Sequence, residues 1–404
     1  MRFARFIQAA AATPPAIVLQ VGFANGLGVI RDLGRHGVPV LGLDDNAAAL
    51  GFSSRYAAGL VCPPPREDEE AFLAFLEDLG SRLPQKAVLF PTHDEYIWPL
   101  SRHAERLERH FLLPFSRWEV MQRLHDKRAQ LEAAWRAGVD TPKTIFIDGA
   151  DDVERALAGV PYPAVLKPVD SLAFKERFHR HLLDVASPAD MDRIWPEVED
   201  LGTLMLQERV PGDDDELFTV GSYLDADSRA LAVFTGHKIR QHPAGAGSCR
   251  LGVSKWDAGL ADAGLRLLVE LRYHGVSQVE FKRDARDGRY CLMEVNARHW
   301  MWHSLAAACG VNLSLVAYRD AVGRPFLAPR QTDGAKWIVA AKDGPLAARE
   351  MWRRQLSPLD WARSLKGTRV DGVLALDDPV PGARSLGRVA RQIVTRQPST
   401  RVEI

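Results

Sequence analysis

Val279-Glu280-Phe281-Lys282 and, past an Asp287-Gly288 turn, Met293-Glu294-Val295-Asn296-Ala297-Arg298 form the stretch on which the reading of this 404-residue chain turns. Two apolar runs joined by Asp-Gly read as paired strands, Ser277 to Lys282 and Tyr290 to Val295. Glu294 and Asn296 lie two apart and share one face, and Glu280 on the neighbouring strand lies within reach of both. An exposed charged hairpin is the bland alternative. Against it, the acids interrupt apolar runs, where an unpaired carboxylate is costly. Two carboxylates and an amide oxygen are hard ligands, suited to Mg²⁺ held together with phosphates.

Working outward, the chain alternates strand-like and helical segments. Ala16 to Val21 is a short apolar run ending in Gly22-Phe23-Ala24-Asn25-Gly26-Leu27-Gly28; a helix follows through Arg35, then a strand from Pro39 to Asp44. Gly22, Gly26 and Gly28 lack GxGxxG spacing, which favours a tight strand-to-helix turn over a dinucleotide site. Ala87 to Pro91 is a further strand, with Thr92-His93-Asp94-Glu95 at its carboxyl end, where ligands of such sheets commonly sit. His93 and Asp94 read as a polar loop or as substrate contacts. A helical linker runs from Glu119 to Ala137 and breaks at Gly138. Strands are expected at Thr144 to Phe146, Ala164 to Pro168, Thr203 to Glu208, Leu217 to Leu224 and Ala230 to Phe234, and helices at Pro188 to Leu201 and Ala258 to Tyr273.

Composition bounds the function. Lys and Arg number 52 against 52 Asp and Glu, and this zero balance argues against a nucleic-acid partner. A hydrophobic share of 46% supplies core for two to three domains and rules out large-scale disorder. Cys62, Cys249, Cys291 and Cys309 form no CxxC pair, which suits a reducing compartment, and Cys249 has no base at a fixed spacing to make it a nucleophile. No apolar run reaches the ~18 residues of a membrane span. Met1 to Thr13 lacks the pattern of a signal peptide, so the expected location is cytoplasmic.

The order of the motifs carries the rest. Asp126-Lys127, Leu166-Lys167-Pro168, Gln207-Glu208-Arg209-Val210-Pro211-Gly212, Lys238 with Arg240, Glu280, and Glu294 to Arg298 follow one another. This series resembles the ATP-grasp superfamily over roughly residues 110 to 325, and the layout is most similar to carboxylate–amine ligases of the D-aspartate ligase and carbamoyl-phosphate-synthase-like groups. The resemblance implies an α/β and α+β architecture. A parallel-sheet domain over 1–112 precedes a two-lobed body over 113–325, with a small lobe at about 140–208 and a central lobe at about 209–325, both built on antiparallel sheets. A C-terminal extension occupies 326–404.

The resemblance also implies roles. Lys127 and Lys167 reach the nucleotide phosphates, with Ser171 offering a hydroxyl although the loop after Lys167 lacks the glycine-rich run of many members. Gln207 to Val210, including Glu208, form the hinge that reads adenine; Asp215, or the adjacent Glu216, takes the ribose, while Asp213 and Asp214 read as a solvated turn. Glu280, Glu294 and Asn296 hold Mg²⁺, two ions in the family, with Mn²⁺ as an alternative. Arg298 stabilises the phosphorylated intermediate, and Lys238 and Arg240 line the same pocket. The implied reaction phosphorylates a carboxylate with ATP and joins it to an amine, releasing ADP and phosphate; the implied assembly is a homodimer. A non-catalytic nucleotide-binding module on the same fold is the alternative, and a Rossmann oxidoreductase the weakest reading.

Three segments stay open. Arg298-His299-Trp300-Met301-Trp302-His303 reads as an acceptor-pocket wall or as packing for the next helix, and Gly245 to Arg250 as a substrate-facing turn or a surface loop. Beyond residue 326, a strand at Lys336 to Ala340, a helix at Pro358 to Leu365 and a final helix are expected. In that helix Leu386, Val389, Ala390, Ile393 and Val394 oppose Arg384, Arg388 and Arg391, and residues 384 to 404 hold five arginines and one acid. Such a helix either contacts an anionic membrane peripherally or closes the fold with a solvated arginine face; its small apolar face, without aromatics, favours closure.

Overall fold

The computed structural model describes residues 2–169, 172–180, 182–243, 245 and 247–395. Its first sheet comprises β1 (Ala16–Leu19), β2 (Val40–Asp44), β3 (Ala57–Val61), β4 (Ala87–Pro91) and β5 (Phe111–Leu112), ordered β3-β2-β1-β4-β5 and parallel throughout. Every residue of β1, β2 and β4 is buried, which is why each reads as a continuous apolar run. The turn after β1 is tight for a packing reason. A Cβ on Gly26 would run into the Gln20 carbonyl and the Val21 backbone.

The small lobe is an antiparallel sheet of β6 (Thr144–Ile147), β7 (Ala164–Pro168), β8 (Leu183–Val185) and β9 (Leu204–Glu208), ordered β6-β9-β7-β8. It has its own core, including Ile147, Leu166, Phe174, Leu204 and Leu206. The central sheet takes β10 (Leu217–Leu224), β11 (Ala230–His242), β12 (Ser248–Ser254), β13 (Gly275–Arg283), β14 (Tyr290–Asn296), β15 (Lys336–Ile338) and β16 (Thr368–Asp371) in the order β14-β13-β10-β11-β12-β15-β16. Its pairings are antiparallel except β15 with β16. The segment beyond residue 326 thus supplies two strands to the central sheet. Among the described residues no helix is long and apolar enough to cross a membrane.

Three local readings change. The linker is two helices, Trp118–His125 and Lys127–Arg136, because Asp126 leaves the helical region (φ −77°, ψ 110°) and caps the second. Its carboxylate accepts from Arg128 N at 2.8 Å and Ala129 N at 3.3 Å. The strand expected to end at Phe234 continues to His242 and so carries Lys238 and Arg240. The glycine-rich run after Gly245 enters β12 at Ser248; Ala246 lies outside the described residues. The amino-terminal stretch forms a helix, Arg2–Ala12, that buries Phe6 and Ala10.

The final helix, Pro379–Thr395, packs back onto the parallel-sheet domain. Arg388 donates to the Ala48 carbonyl, Val389 is partly buried against the core, and Arg384 and Arg391 are exposed. The side chains of Ala390, Ile393 and Val394, and residues 396–404, lie outside the described set.

Candidate active site

In the pairing of β13 with β14, Glu280 stands directly opposite Glu294, and Gln278 opposite Asn296. Like charges directly opposed on adjacent strands repel. Lys238, reaching from β11, offsets one of them: its Nζ lies 2.9 Å from Glu280 Oε2. Burial acts to lower the Lys238 pKa, but Glu280 more than compensates and carries it above its ordinary value. Glu294 is reachable by solvent, yet the enclosing protein, then the Glu280 charge, raises its carboxyl above the usual range, with Arg298 pulling it back. The donor set therefore fits a divalent cation: hard oxygens with a repulsion that such an ion relieves. Gln278, absent from the sequence reading, braces the group. Its Nε2 donates to Thr219 Oγ1 at 3.1 Å, and its Oε1 accepts from Asn296 Nδ2 at 3.2 Å. Its position two residues before Glu280, hence on the same strand face, was the available signal.

Arg298 is held from the other side by the parallel-sheet domain. Its Nε donates to Asp94 Oδ1 at 2.8 Å and its Nη2 to Asp94 Oδ2 at 3.0 Å, a two-pronged pair; Nη2 also donates to Asn296 Oδ1 at 3.2 Å. Burial opposes both charges, but the pairing wins: Asp94 falls below, and Arg298 rises above, its ordinary value. Asp94 is thus more than a loop residue, since it fixes the arginine beside Asn296 and Glu294.

The two lysines converge from separate elements. Lys127 opens its helix behind the Asp126 cap and donates from Nζ to the Pro168 carbonyl at 3.1 Å. Lys167 on β7 donates to Gln207 Oε1 at 2.9 Å. Burial, then the Lys127 charge, pushes Lys167 down to about 8, while Glu294 pulls upward. Two cations close enough to repel, beside an acid that attracts both metal and ammonium, match a polyanionic phosphate chain. Gln207, also donating to Thr144 Oγ1 at 2.9 Å, is committed to positioning Lys167.

A cavity of about 840 Å³ lies beside the hinge, lined by Tyr162, Glu208, Val210, Asp214, Lys282 and Arg286 among others. Glu208 is tied down: its carboxylate pairs with Arg286 and accepts from Lys143 N at 3.1 Å. Of the two ribose candidates, Glu216 is gripped by Arg283 at 2.6 and 2.9 Å, which holds its carboxyl below the usual range, whereas Asp215 has an exposed side chain. Asp214 departs from the solvated-turn reading. It accepts from Gln241 Nε2 at 2.7 Å and from Gly245 N at 2.8 Å, so it anchors the turn.

Arg240 goes elsewhere than Lys238. A bulge between them breaks the strand alternation, and Arg240 pairs with buried Asp343 at 3.1 and 2.9 Å and donates to Ser364 Oγ at 2.6 Å. Ser171 lies outside the described residues. His299, Trp300, Trp302 and His303 are buried, and a Cβ on Gly221 would collide with Trp300; the aromatic run is packing under the sheet. Cys249 is buried and its thiol pushed up to about 12, first by burial, which removes it as a nucleophile.

The profile of the carbamoyl-phosphate synthase L chain ATP-binding domain matches residues 248–328. Over 350 residues the chain is 24% identical to a D-aspartate ligase of Enterococcus faecium (strain Aus0004), covering 76% of this chain and 83% of that one. Its fold is similar to N5-carboxyaminoimidazole synthetase from Staphylococcus aureus complexed with ADP, with TM-score 0.64 at 14% identity over 85% of this chain and 87% of the other. It is similar also to L-amino acid ligase from Bacillus licheniformis, with TM-score 0.56 at 16% identity over 79% and 75%. With its parallel first sheet and two antiparallel sheets, the chain has the ATP-grasp fold of these structures.

Proposed function

We propose that the chain is an ATP-dependent, ADP-forming carboxylate–amine ligase. In the first step a carboxylate oxygen takes the terminal phosphoryl group of ATP, giving an acyl phosphate and ADP. In the second an amine nitrogen bonds to the acyl carbon, phosphate leaves, and the nitrogen loses a proton. The observation that carries this reading is one cleft in which Lys127, Lys167, Glu280, Glu294 and Arg298 come together from the linker, the small-lobe sheet and the central sheet.

Each part has a physical task. Lys127 and Lys167 neutralise the phosphates. The Gln207 to Val210 hinge walls the nucleotide cavity, and Asp215, with its side chain open, is the better placed of the two ribose candidates. Glu280, Glu294 and Asn296 would hold Mg²⁺, which when bound offsets charge on the phosphoryl oxygens. Arg298, fixed by Asp94, presents positive charge where the phosphorylated carboxylate develops it. Lys238 offsets the Glu280 carboxylate, while Arg240, paired with Asp343, has no direct part. The likeness to D-aspartate ligase and L-amino acid ligase supports small carboxylate and amine substrates. Four cysteines, all unpaired and buried, suit a cytoplasmic setting.

The test is phosphate release with ATP and Mg²⁺ across pools of carboxylates paired with amines. Turnover that requires both partners, and falls by about a hundredfold or more in Glu294→Gln, is expected. Near-normal release in that variant removes the metal assignment, and ADP binding without release from any pool favours a non-catalytic module.

A further inference from the structure

Five buried polar residues beside the Arg298 segment take no part in the phosphoryl chemistry. Asn25 and Asp32 lie on the helix Ala24–Gly34 of the parallel-sheet domain, His299 and His303 follow β14, and Ser314 lies on the helix Leu313–Ala321. None is more than 4% exposed. They meet across the two parts of the chain. His303 Nε2 lies 3.0 Å from the Asn25 carbonyl, and its Nδ1 3.5 Å from Asp32 Oδ2. Ser314 Oγ lies 3.1 Å from that same Asp32 oxygen and 3.1 Å from His299 Nε2. Gly28 lets the ring come this close, since a Cβ there would stand 2.7 Å from His303 Nε2.

These contacts fix the hydrogens. A carbonyl only accepts, so His303 Nε2 carries a hydrogen. In the neutral ring Nδ1 then turns a lone pair toward Asp32 Oδ2, and an ionised Asp32 would set lone pair against lone pair in a dry interior. One proton between the two removes the conflict. With that proton on Asp32, the donors all run one way. His299 Nε2 donates to Ser314 Oγ and Ser314 Oγ to Asp32 Oδ2; the Asp32 proton faces His303 Nδ1, and His303 Nε2 donates to the Asn25 carbonyl.

The surroundings agree. Burial pushes Asp32 up to about 7 and His303 down to about 4, and it also keeps His299 well below its ordinary value. Ser314, then Arg35 and Arg31 on the same helix, pull Asp32 back, but the two arginines are paired with Asp377 and Asp378. His36 Nδ1 and Asn312 Nδ2 meet the Asp32 backbone carbonyl, not its carboxyl.

The chain of donors ends at the residue that locates Arg298. Asn25 Nδ2 donates to the Thr92 carbonyl at 2.8 Å and to the His299 carbonyl at 3.4 Å. Thr92 stands two residues before Asp94, which grips Arg298, and His299 directly follows Arg298. Asn25 thus pins both halves of the Asp94–Arg298 pair.

We propose that Asp32 is a positioning residue for Arg298 and acts in its protonated form, sharing that proton with His303. This role rests on the ligase reading for what Arg298 does, and it makes turnover depend on the proton of a carboxyl enclosed away from solvent. As pH rises past about 7, folded molecules lose the proton and the arginine loses its alignment.

Nuclear magnetic resonance of the intact chain tests it without turnover. With carbon-13 at the aspartate carboxyls, the Asp32 signal is the one missing from Asp32→Asn; it is expected to be protonated at pH 6 and to titrate near 7. The Arg298 Nε–H signal, assigned by its loss in Arg298→Lys, is expected to shift with the same midpoint. In Asp32→Asn, whose amide donates to both His303 and Ser314, that signal should hold its low-pH position throughout. Phosphate release from a pool that supports turnover is expected to fall about tenfold between pH 6 and pH 8, in kcat more than in KM for ATP. Asp32→Asn should keep the low-pH rate and lose this decline, while Asp32→Val, unable to donate, is slow at every pH. Gly28→Ala, which crowds His303, is expected to be slow likewise and replaces Asp32→Val if that variant does not fold. An Asp32 carboxyl ionised at pH 6, an Arg298 signal that ignores its titration, or an Asp32→Asn rate that keeps the decline overturns the proposal. An Arg298 signal coupled to Asp32 with no phosphate release from any pool keeps the positioning role and removes the ligase reading.

Discussion

Glu294 illustrates how single residues here trade stability for chemistry. Enclosure and the opposing Glu280 raise its carboxyl in the folded state, so folding favours its protonated form. The sign follows: this group's contribution worsens as pH rises through the acid range, and at neutral pH it destabilises the fold. Glu294→Gln removes the repulsion, and the expected result is an equal or higher melting temperature alongside lost turnover. A lower melting temperature would show the carboxylate to be structurally engaged instead. Lys167 carries a second consequence. Its folded value, about 8, lies below that of a free lysine, so the unfolded chain binds more protons between the two and stability rises with pH across that interval. Phosphate binding needs the protonated form. MgADP affinity, measured by titration from pH 7 to 9.5, is therefore expected to fall as pH passes about 8, and Lys167→Arg to flatten that decline because arginine stays charged. A decline that persists unchanged in the arginine variant would assign it to another group.

At the scale of elements, the buried strands were the legible part. Ala16–Leu19, Val40–Asp44 and Ala87–Pro91 announce themselves because burial on both faces demands apolar runs. Ala57–Val61 escaped notice, since alanine and glycine fill a strand whose far end is exposed, and Ser248–Ser254 was masked by its glycine-rich approach. Acids within apolar strands made the facing pair of Glu280 and Glu294 readable. The Asp94 grip on Arg298 was not, because its partners lie 204 residues apart and only the folded sheet brings them together. The helix start at Asp126-Lys127 was legible from the capping acid, but not the helix before it, because apolar spacing continues across the break, from Met121 and Leu124 to Leu131 and Ala134. That break places Lys127 at a helix start instead of mid-helix. Asp126→Ala removes the cap, at a cost of about 1 kcal/mol, and frees the first turn that orients Lys127. The expected outcome is a modest loss in urea stability together with a larger proportional loss of MgADP affinity. A stability loss with unchanged affinity would limit Asp126 to a structural cap.

For the whole molecule, the cores show which parts unfold together. One cluster joins Ala16, Val18 and Phe90 of the parallel sheet to Phe234, Trp300, Trp302, Trp337 and Val373. The small-lobe cluster of buried residues runs from Ile147 to Leu206, with Ile145 packed against it. The parallel sheet, central sheet and C-terminal strands should therefore form one cooperative unit, and the small lobe another. The carboxyl-terminal segment clasps the first unit through Asp378. Its carboxylate accepts from Arg31 Nε at 3.0 Å, Ser54 Oγ at 2.8 Å and Arg55 N at 2.9 Å, and both side chains of the ion pair are buried, at 4% and 0% exposure. Arg31 and Asp378 stand 347 residues apart, so the contact ties the two ends of the chain together. Asp378→Asn leaves the Arg31 guanidinium enclosed without its counter-charge, which costs about 3–5 kcal/mol. The neighbouring pair of Arg35 with Asp377 is over 40% exposed on both sides, and Asp377→Asn should cost no more than about 1 kcal/mol. Urea unfolding measures both, and hydrogen exchange locates them: Asp378→Asn should speed exchange at β1 and β10 while leaving Leu204–Glu208 unchanged. Equal acceleration in the small lobe would show that the three sheets unfold as one.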